Sequence, residues 1–174
     1  MNTAIPVTQL DYRSVLSKDE ISAIEHECEQ YEIRPAAAID ALQIVQAKRG
    51  WVDDQCLNAI AECLTMSAAE LEGVATFYNH IYRQPVGKNV IHLCDSISCW
   101  LHDYQIIADH LCAKLGIQFG QTTEDGNFTL LPNVCLGCCD KAPAMMLNGD
   151  LIENLNVAGV DEILDKLMGG EKNG

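Results

Sequence analysis

The sequence predicts an α+β protein in two parts: a helical bundle over residues 1–84, then a small sheet with helices packed on it over residues 85–174. Three observations carry this. Four stretches of the first half repeat apolar residues at helical spacing. The second half alternates strand-like and helix-like stretches in the order β-α-β-β-β-α. Between them, Gln84-Pro85-Val86-Gly87 interrupts both patterns.

Residues 1–16 read as a loose arm. Ser17 and Glu20 then have capping-box spacing, and Ile21, Ile24, Cys28 and Tyr31 follow at helical intervals. Pro35 marks a second helix start, with Ala38, Ala41, Leu42 and Val45 on one face. Lys48 and Arg49 precede Gly50, where a C-terminal cap belongs. A third helix begins near Asp54, aligning Leu57, Ile60, Ala61 and Leu64. Ser67 and Glu70 form a second capping box ahead of Leu71, Val74, Ala75 and Tyr78. Four short amphipathic helices make a small bundle.

Beyond the break, Asn89 to Leu93 reads as a strand that delivers Cys94 at its end. Asp103 to Leu115 is a helix closed by Gly116, with Tyr104, Ile107, Ala108, Leu111 and Leu115 inward. Phe128 to Leu131 is a strand leading to Cys135. Ala144–Leu147, Asn148-Gly149 and Leu151-Ile152 have the form of a hairpin with an Asn-Gly turn. Val160, Ile163, Leu164 and Leu167 make a last helix, stopped by Gly169-Gly170. This order is close to a thioredoxin-like arrangement.

The chain is long enough to bury a good core, and no segment approaches the apolar length of a membrane span. The net charge of −14 argues against nucleic acid as a partner. It divides evenly at Gly87, with 13 acidic and 6 basic residues up to that point and 12 and 5 after it, so neither half is a basic arm. Met1 to Arg13 has no apolar signal core and lacks the Arg and Ser richness of a transit peptide, so a cytoplasmic protein is expected. In a reducing compartment nine cysteines are seldom structural disulfides, and an odd number cannot all pair.

Two short cysteine pairs stand out: Cys94-Asp-Ser-Ile-Ser-Cys99 and Cys135-Leu-Gly-Cys-Cys139. Four soft thiolates from two loops suit an iron–sulfur cluster or a zinc ion. The spacers contain small or turn-forming residues, and Gly137 lets amide N–H groups approach sulfur. Structural zinc favours spacers near two residues, whereas these hold four and three. Cys135 and Cys138 also form a C-x-x-C, the motif of thiol–disulfide enzymes. Those place it at a helix N-terminus, but Asp140 and Pro143 follow here without an amphipathic helix.

The chain resembles the small 2Fe–2S subunits of the NADH dehydrogenase module of bacterial respiratory complex I, the E subunits of NADH:quinone oxidoreductase. The resemblance covers nearly the whole sequence. It is carried by Gly73-Val-Ala-Thr-Phe-Tyr78, Arg83-Gln-Pro-Val-Gly87, Cys94 with Cys99, and Val134-Cys-Leu-Gly-Cys-Cys139 followed by Asp140 and Ala142-Pro143. It implies a helical bundle before a thioredoxin-like 2Fe–2S ferredoxin domain, with Cys94, Cys99, Cys135 and Cys139 as ligands. Cys138 departs from it, in a spacer position that need not be Cys. It further implies a flavoprotein partner where FMN oxidises NADH, other peripheral-arm subunits, and electrons passed to quinone. The complex would sit on the inner face of the bacterial cell membrane, with this subunit peripheral and not inserted. A related subunit of an NAD-linked hydrogenase or formate dehydrogenase would show the same motifs. A zinc-stabilised interaction module and a thiol–disulfide oxidoreductase are the competing classes.

The remaining candidates have plainer readings. Cys28, Cys56, Cys63 and Cys112 fall on helical faces, where free Cys packs as a small hydrophobe. His80, His92 and His102 lie near the cysteine loops, but four cysteines make a two-His ligand set unnecessary. Met145-Met146 fills core, and Pro143 stands where thioredoxin-like folds carry a cis-proline. Phe77, Tyr78, Ile81 and Tyr82 are either a docking surface or core. No G-x-G-x-x-G follows a strand and no Walker A motif occurs, so NADH and flavin sites are expected on the partner.

Overall fold

The computed structural model describes residues 11–169, and its contacts divide the chain into two compact units, Met1–Pro85 and Val86–Gly174. The first unit is built from helices α1 (Lys18–Cys28), α2 (Ala38–Arg49), α3 (Asp54–Leu64) and α4 (Ala68–Phe77). Both capping boxes form: Ser17 with Glu20 opens α1, and Ser67 with Glu70 opens α4. Pro35 lies in a 3₁₀ turn that feeds α2, and Gly50 caps α2 with φ +85°. The α3 helix is buried on nearly every side, with Cys56, Leu57, Ala59, Ile60, Ala61, Cys63 and Leu64 in the core. Ile24, Leu42, Val45 and Leu71 pack around it.

Three local expectations differ. Within the described residues the arm is not loose: Tyr12–Ser14 forms a 3₁₀ turn, the Tyr12 amide donates to Glu62 Oε2 at 3.0 Å, and Leu16 is buried. Residues 1–10 of that arm and the Gly170 stop lie outside the described residues. Tyr31 lies beyond the end of α1, where its hydroxyl donates to Asp40 at 2.9 Å. Tyr78 follows the end of α4 in extended backbone. The segment after α4 is pinned by Gln46, whose side chain donates to the His80 carbonyl at 2.7 Å and accepts from the Tyr82 amide at 2.6 Å. Arg83 donates to Glu72 at 2.9 Å, to Asp54 at 2.7 Å and to the Val52 carbonyl, which ties α3 and α4 to the end of the unit.

The second unit holds β1 (Asn89–Cys94), α5 (Ile97–Leu101), α6 (Tyr104–Leu115), β2 (Gln121–Thr122), β3 (Phe128–Asn133), β4 (Met145–Leu147), β5 (Asp150–Ile152) and α7 (Val157–Gly169). The sheet order is β2-β3-β1-β4-β5, with β1 and β3 parallel and the other neighbours antiparallel. The crossover from β1 to β3 runs through α6, as parallel pairing requires. Ile107, Leu111, Val160 and Leu164 pack on Ile91, Leu93, Phe128, Leu130 and Met145. The Asn148-Gly149 turn has φ +52° and +95°, the all-positive pattern of a tight hairpin turn. The strand β2 and the helix α5 lack a sequence signal, because two and five residues are too few to show a period.

Candidate metal centre

The parallel pairing of β1 with β3 positions the cysteine loops. Both strands end at the same edge of the sheet, so the segments that follow them emerge side by side. Cys94 closes β1 opposite Asn133, the last residue of β3, and Cys135 follows two residues later. The Asp95 amide donates to the Asn133 carbonyl at 2.9 Å, and the Cys94 amide donates to the Ala144 carbonyl at 3.1 Å. The first loop therefore sits between the second loop and the start of β4.

Each loop is shaped by short-range bonds. After Cys94 the chain turns at Asp95 and enters α5, whose Trp100 amide bonds the Ser96 carbonyl at 2.9 Å and which carries Cys99 inward. In the second loop Gly137 adopts φ +87°, which an L side chain disfavours, and its amide donates to Cys135 Sγ at 3.4 Å. Cys139 to Lys141 form one 3₁₀ turn, and the peptide before Pro143 is cis, as the thioredoxin-like reading expects. Residues after the hairpin hold this loop down: the Asn154 amide reaches the Lys141 carbonyl at 2.8 Å, and Leu155 reaches Pro143 at 2.9 Å. Lys141 adds an ion pair to Glu153 at 2.8 Å.

The four thiols stand as two pairs. Cys94 and Cys99 are buried; Cys135 and Cys139 are exposed, with sulfurs 3.3 Å apart. The two loops are joined through the backbone, where the Asp95 amide of the first meets the Asn133 carbonyl that leads into the second. Burial pushes the Cys99 thiol up to about 11, and the neighbouring Cys94 adds to the shift. The Gly137 amide, then Cys139 and Ser96, hold Cys135 below the usual thiol range. Cys139 is raised, chiefly by its hydrogen bond to Cys135.

Among the described residues no three His, Cys, Asp or Glu side chains are grouped closely enough to hold a metal ion together. Two thiolate pairs suit a 2Fe–2S group, in which each iron takes two protein sulfurs and shares two sulfides. The Gly137 amide directed at the Cys135 sulfur fits it as well. Cys138 is only partly exposed and caps the single 3₁₀ turn, so the C-x-x-C does not stand at the N-terminus of an α-helix.

The other candidates separate cleanly. Cys28, Cys56 and Cys63 are buried in the helical core, and Cys112 packs against the sheet core. His92 is buried within β1, and His80 and His102 are exposed. Met145 is core and Met146 half-buried. Of the four residues near the boundary, Ile81 is core, whereas Phe77 is 77% exposed and stacks edge-on with Tyr78. Sequence reasoning missed Ile97, Trp100, Leu101 and Val134, which are all exposed beside the cysteines. Their apolar character next to both cysteine pairs was the available signal.

The chain matches the family model described as thioredoxin-like [2Fe-2S] ferredoxin over residues 24–168. It is 50% identical over 153 residues to the E subunit of NADH-quinone oxidoreductase from Pseudomonas aeruginosa, covering 88% of this chain and 92% of that protein. It is 52% identical over 151 residues to the same oxidoreductase's E subunit from Escherichia coli K12, covering 87% and 91%. Among solved structures it is similar to the air-oxidised NAD+-reducing [NiFe]-hydrogenase, with TM-score 0.66 and 28% identity. That match takes in 77% of this chain and 23% of the hydrogenase chain.

Proposed function

Given that the chain belongs to the thioredoxin-like [2Fe-2S] ferredoxin family, among the E subunits of NADH-quinone oxidoreductases, we propose that Cys94, Cys99, Cys135 and Cys139 hold its 2Fe–2S cluster. The protein is an electron-transfer subunit of that oxidoreductase. Each local pair takes one iron, because a short loop wraps a single tetrahedral centre most easily. The observation that carries this ligand set is the parallel β1–β3 pair, which sets Cys94 opposite Asn133 and so brings both loops to one sheet edge. When bound, the cluster supplies a one-electron site. The chain's own residues hold it, shield Cys94 and Cys99 from water, and direct the Gly137 amide at sulfur.

NADH and FMN belong to a flavoprotein partner subunit, and this chain presents its cluster to it. Ile97, Trp100, Leu101 and Val134 form the docking face, since they surround the loops an electron must cross and are exposed. Residues 85–174 hold the cluster, and residues 1–84 offer Phe77 and Tyr78 to a further subunit of the peripheral arm. Among the described residues no helix is long and apolar enough to cross a membrane. The subunit is cytoplasmic and reaches the inner face of the bacterial membrane only through its complex. The hydrogenase likeness supports a second reading, the equivalent subunit of an NAD-linked hydrogenase. The subunits that co-purify with the chain decide between the two.

Full-length protein purified without oxygen should be red-brown, carry iron and acid-labile sulfide in equal amounts, and give a paramagnetic signal after reduction. Colourless protein with one zinc would overturn the proposal.

A further inference from the structure

Residues 153–156 link β5 to α7 and run beside the second cysteine loop. Both ends of this strap are fixed. Ile152 before it pairs with Met145 of β4. Asn156 opens α7, its side-chain oxygen accepting the Gly159 amide at 2.9 Å. Leu155 between them is buried in the core of the unit. At Asn154 the backbone enters the left-handed region, φ +53°, which strains most L residues and which asparagine tolerates better than they do. Successive amides of an extended strand point to opposite sides, whereas a turn through this region can aim two at one neighbour. Here the Asn154 amide donates to the Lys141 carbonyl at 2.8 Å, and the Leu155 amide to the Pro143 carbonyl at 2.9 Å. The Glu153 carboxylate adds a contact to Lys141 Nζ at 2.8 Å.

We propose that Asn154 is a positioning residue: its left-handed turn aims the Asn154 and Leu155 amides at the second cysteine loop and so holds Cys135 and Cys139 in place for the cluster. The inference rests on the reading of the four cysteines as ligands. The two cysteine loops are held by different means. Cys94 is buried at the end of a strand paired on both sides, and Cys99 is buried as well. Cys135 and Cys139 are exposed, as are Asp140 and Lys141 after them. A segment that buries few side chains opens readily unless backbone bonds tie it down. The two carbonyls that the strap engages stand two and four residues after Cys139, so releasing them frees the chain on that side of the ligand. Loosening the strap therefore opens the second loop and lets iron escape, while the first loop stays closed.

The test times iron release to excess chelator, without oxygen, from full-length wild-type protein and from Asn154→Gly and Asn154→Ala. The paramagnetic line shape of the reduced cluster and the urea stability of each are recorded alongside. Glycine takes the left-handed turn freely and lacks the side chain, as alanine does, so the pair isolates the backbone. Asn154→Ala should release iron about three- to tenfold faster than wild type, with an altered line shape, and Asn154→Gly within about twofold of it. In wild type, segment 153–156 should exchange its amide hydrogens slowly, read by mass spectrometry. Wild-type release from the alanine variant overturns the proposal, and so does equal acceleration in both variants. Rapid exchange of the strap in wild type overturns it too. An alanine variant that does not fold, or that loses iron only in step with its urea stability and keeps the wild-type line shape, also overturns it, because the turn would then serve the whole unit. Wild-type protein without iron and sulfide would instead overturn the ligand reading.

Discussion

Cys94 stands directly opposite Asn133 at the last rung of the parallel β1–β3 ladder. A thiol buried at the end of one strand is thereby two residues from a thiol exposed after the other. The two cysteine loops owe their meeting to this rung and to those before it.

The proposed ligand set predicts unequal effects for neighbouring cysteines. Cys138→Ser should leave the iron content and the reduced-state spectrum of the cluster as in wild type. Replacing Cys94, Cys99, Cys135 or Cys139 with Ser should lower iron retention or alter the spectrum. Visible absorption with electron paramagnetic resonance reads both, and a spectrum that changes with Cys138 but not with Cys139 would reverse the assignment.

Glu20 is 2% exposed and receives both arms of the Arg49 guanidinium, each at 2.8 Å, while accepting the Ser17 amide at 2.7 Å. The Arg49 hydrogen bonds chiefly hold its carboxyl at about 2, against an ordinary 4.5. Since the folded value is the lower one, the stabilisation is complete above about 4.5 and is lost as pH falls toward 2. Its size is on the order of 3 kcal/mol. Glu20→Gln should cost about 3 kcal/mol at neutral pH, because it leaves Arg49 without its counter-charge. It should also flatten the acid limb of the stability curve, measured by urea unfolding between pH 7 and 3.

Gly87 leads into β1 with no room for a side chain: a Cβ there would stand 2.9 Å from the Gly126 carbonyl oxygen and the Phe128 backbone. Gly87→Ala should therefore cost about 1–3 kcal/mol through overpacking. Gly73 is the contrast, inside α4 with nothing within 4 Å of a new Cβ. Gly73→Ala should stabilise by roughly 0.5–1 kcal/mol through helix propensity. Thermal unfolding of the two variants should move in opposite directions.

Trp100 is 62% exposed beside Cys99. As the aromatic centre of the proposed docking face, Trp100→Asp should weaken association with the flavoprotein subunit about 30-fold, a loss of about 2 kcal/mol. Iron content and spectrum should stay as in wild type. Undiminished co-purification of the flavoprotein with the variant would remove this face from the interface.

Much of this protein could be read along the chain, because the signals were local. Ser17–Glu20 and Ser67–Glu70 announce helix starts, Gly50 and Gly116 announce stops, and Asn148-Gly149 announces a hairpin. Each acts over one turn of backbone and needs no distant partner. The four cysteines were legible for the same reason, through short spacers and soft ligands, and resemblance to a family supplied the cofactor.

What the sequence by itself determined, then, was which residues form elements and which side chains are candidates to hold the cluster. The tertiary structure decided where those side chains meet. Nothing local states that β1 pairs in parallel with β3, yet that pairing sets two loops side by side although 35 residues separate Cys99 from Cys135. Nothing local buries Ile81 while leaving Phe77 in water. Contacts between distant segments depend on how sheet and helices pack, and packing is a property of the whole unit.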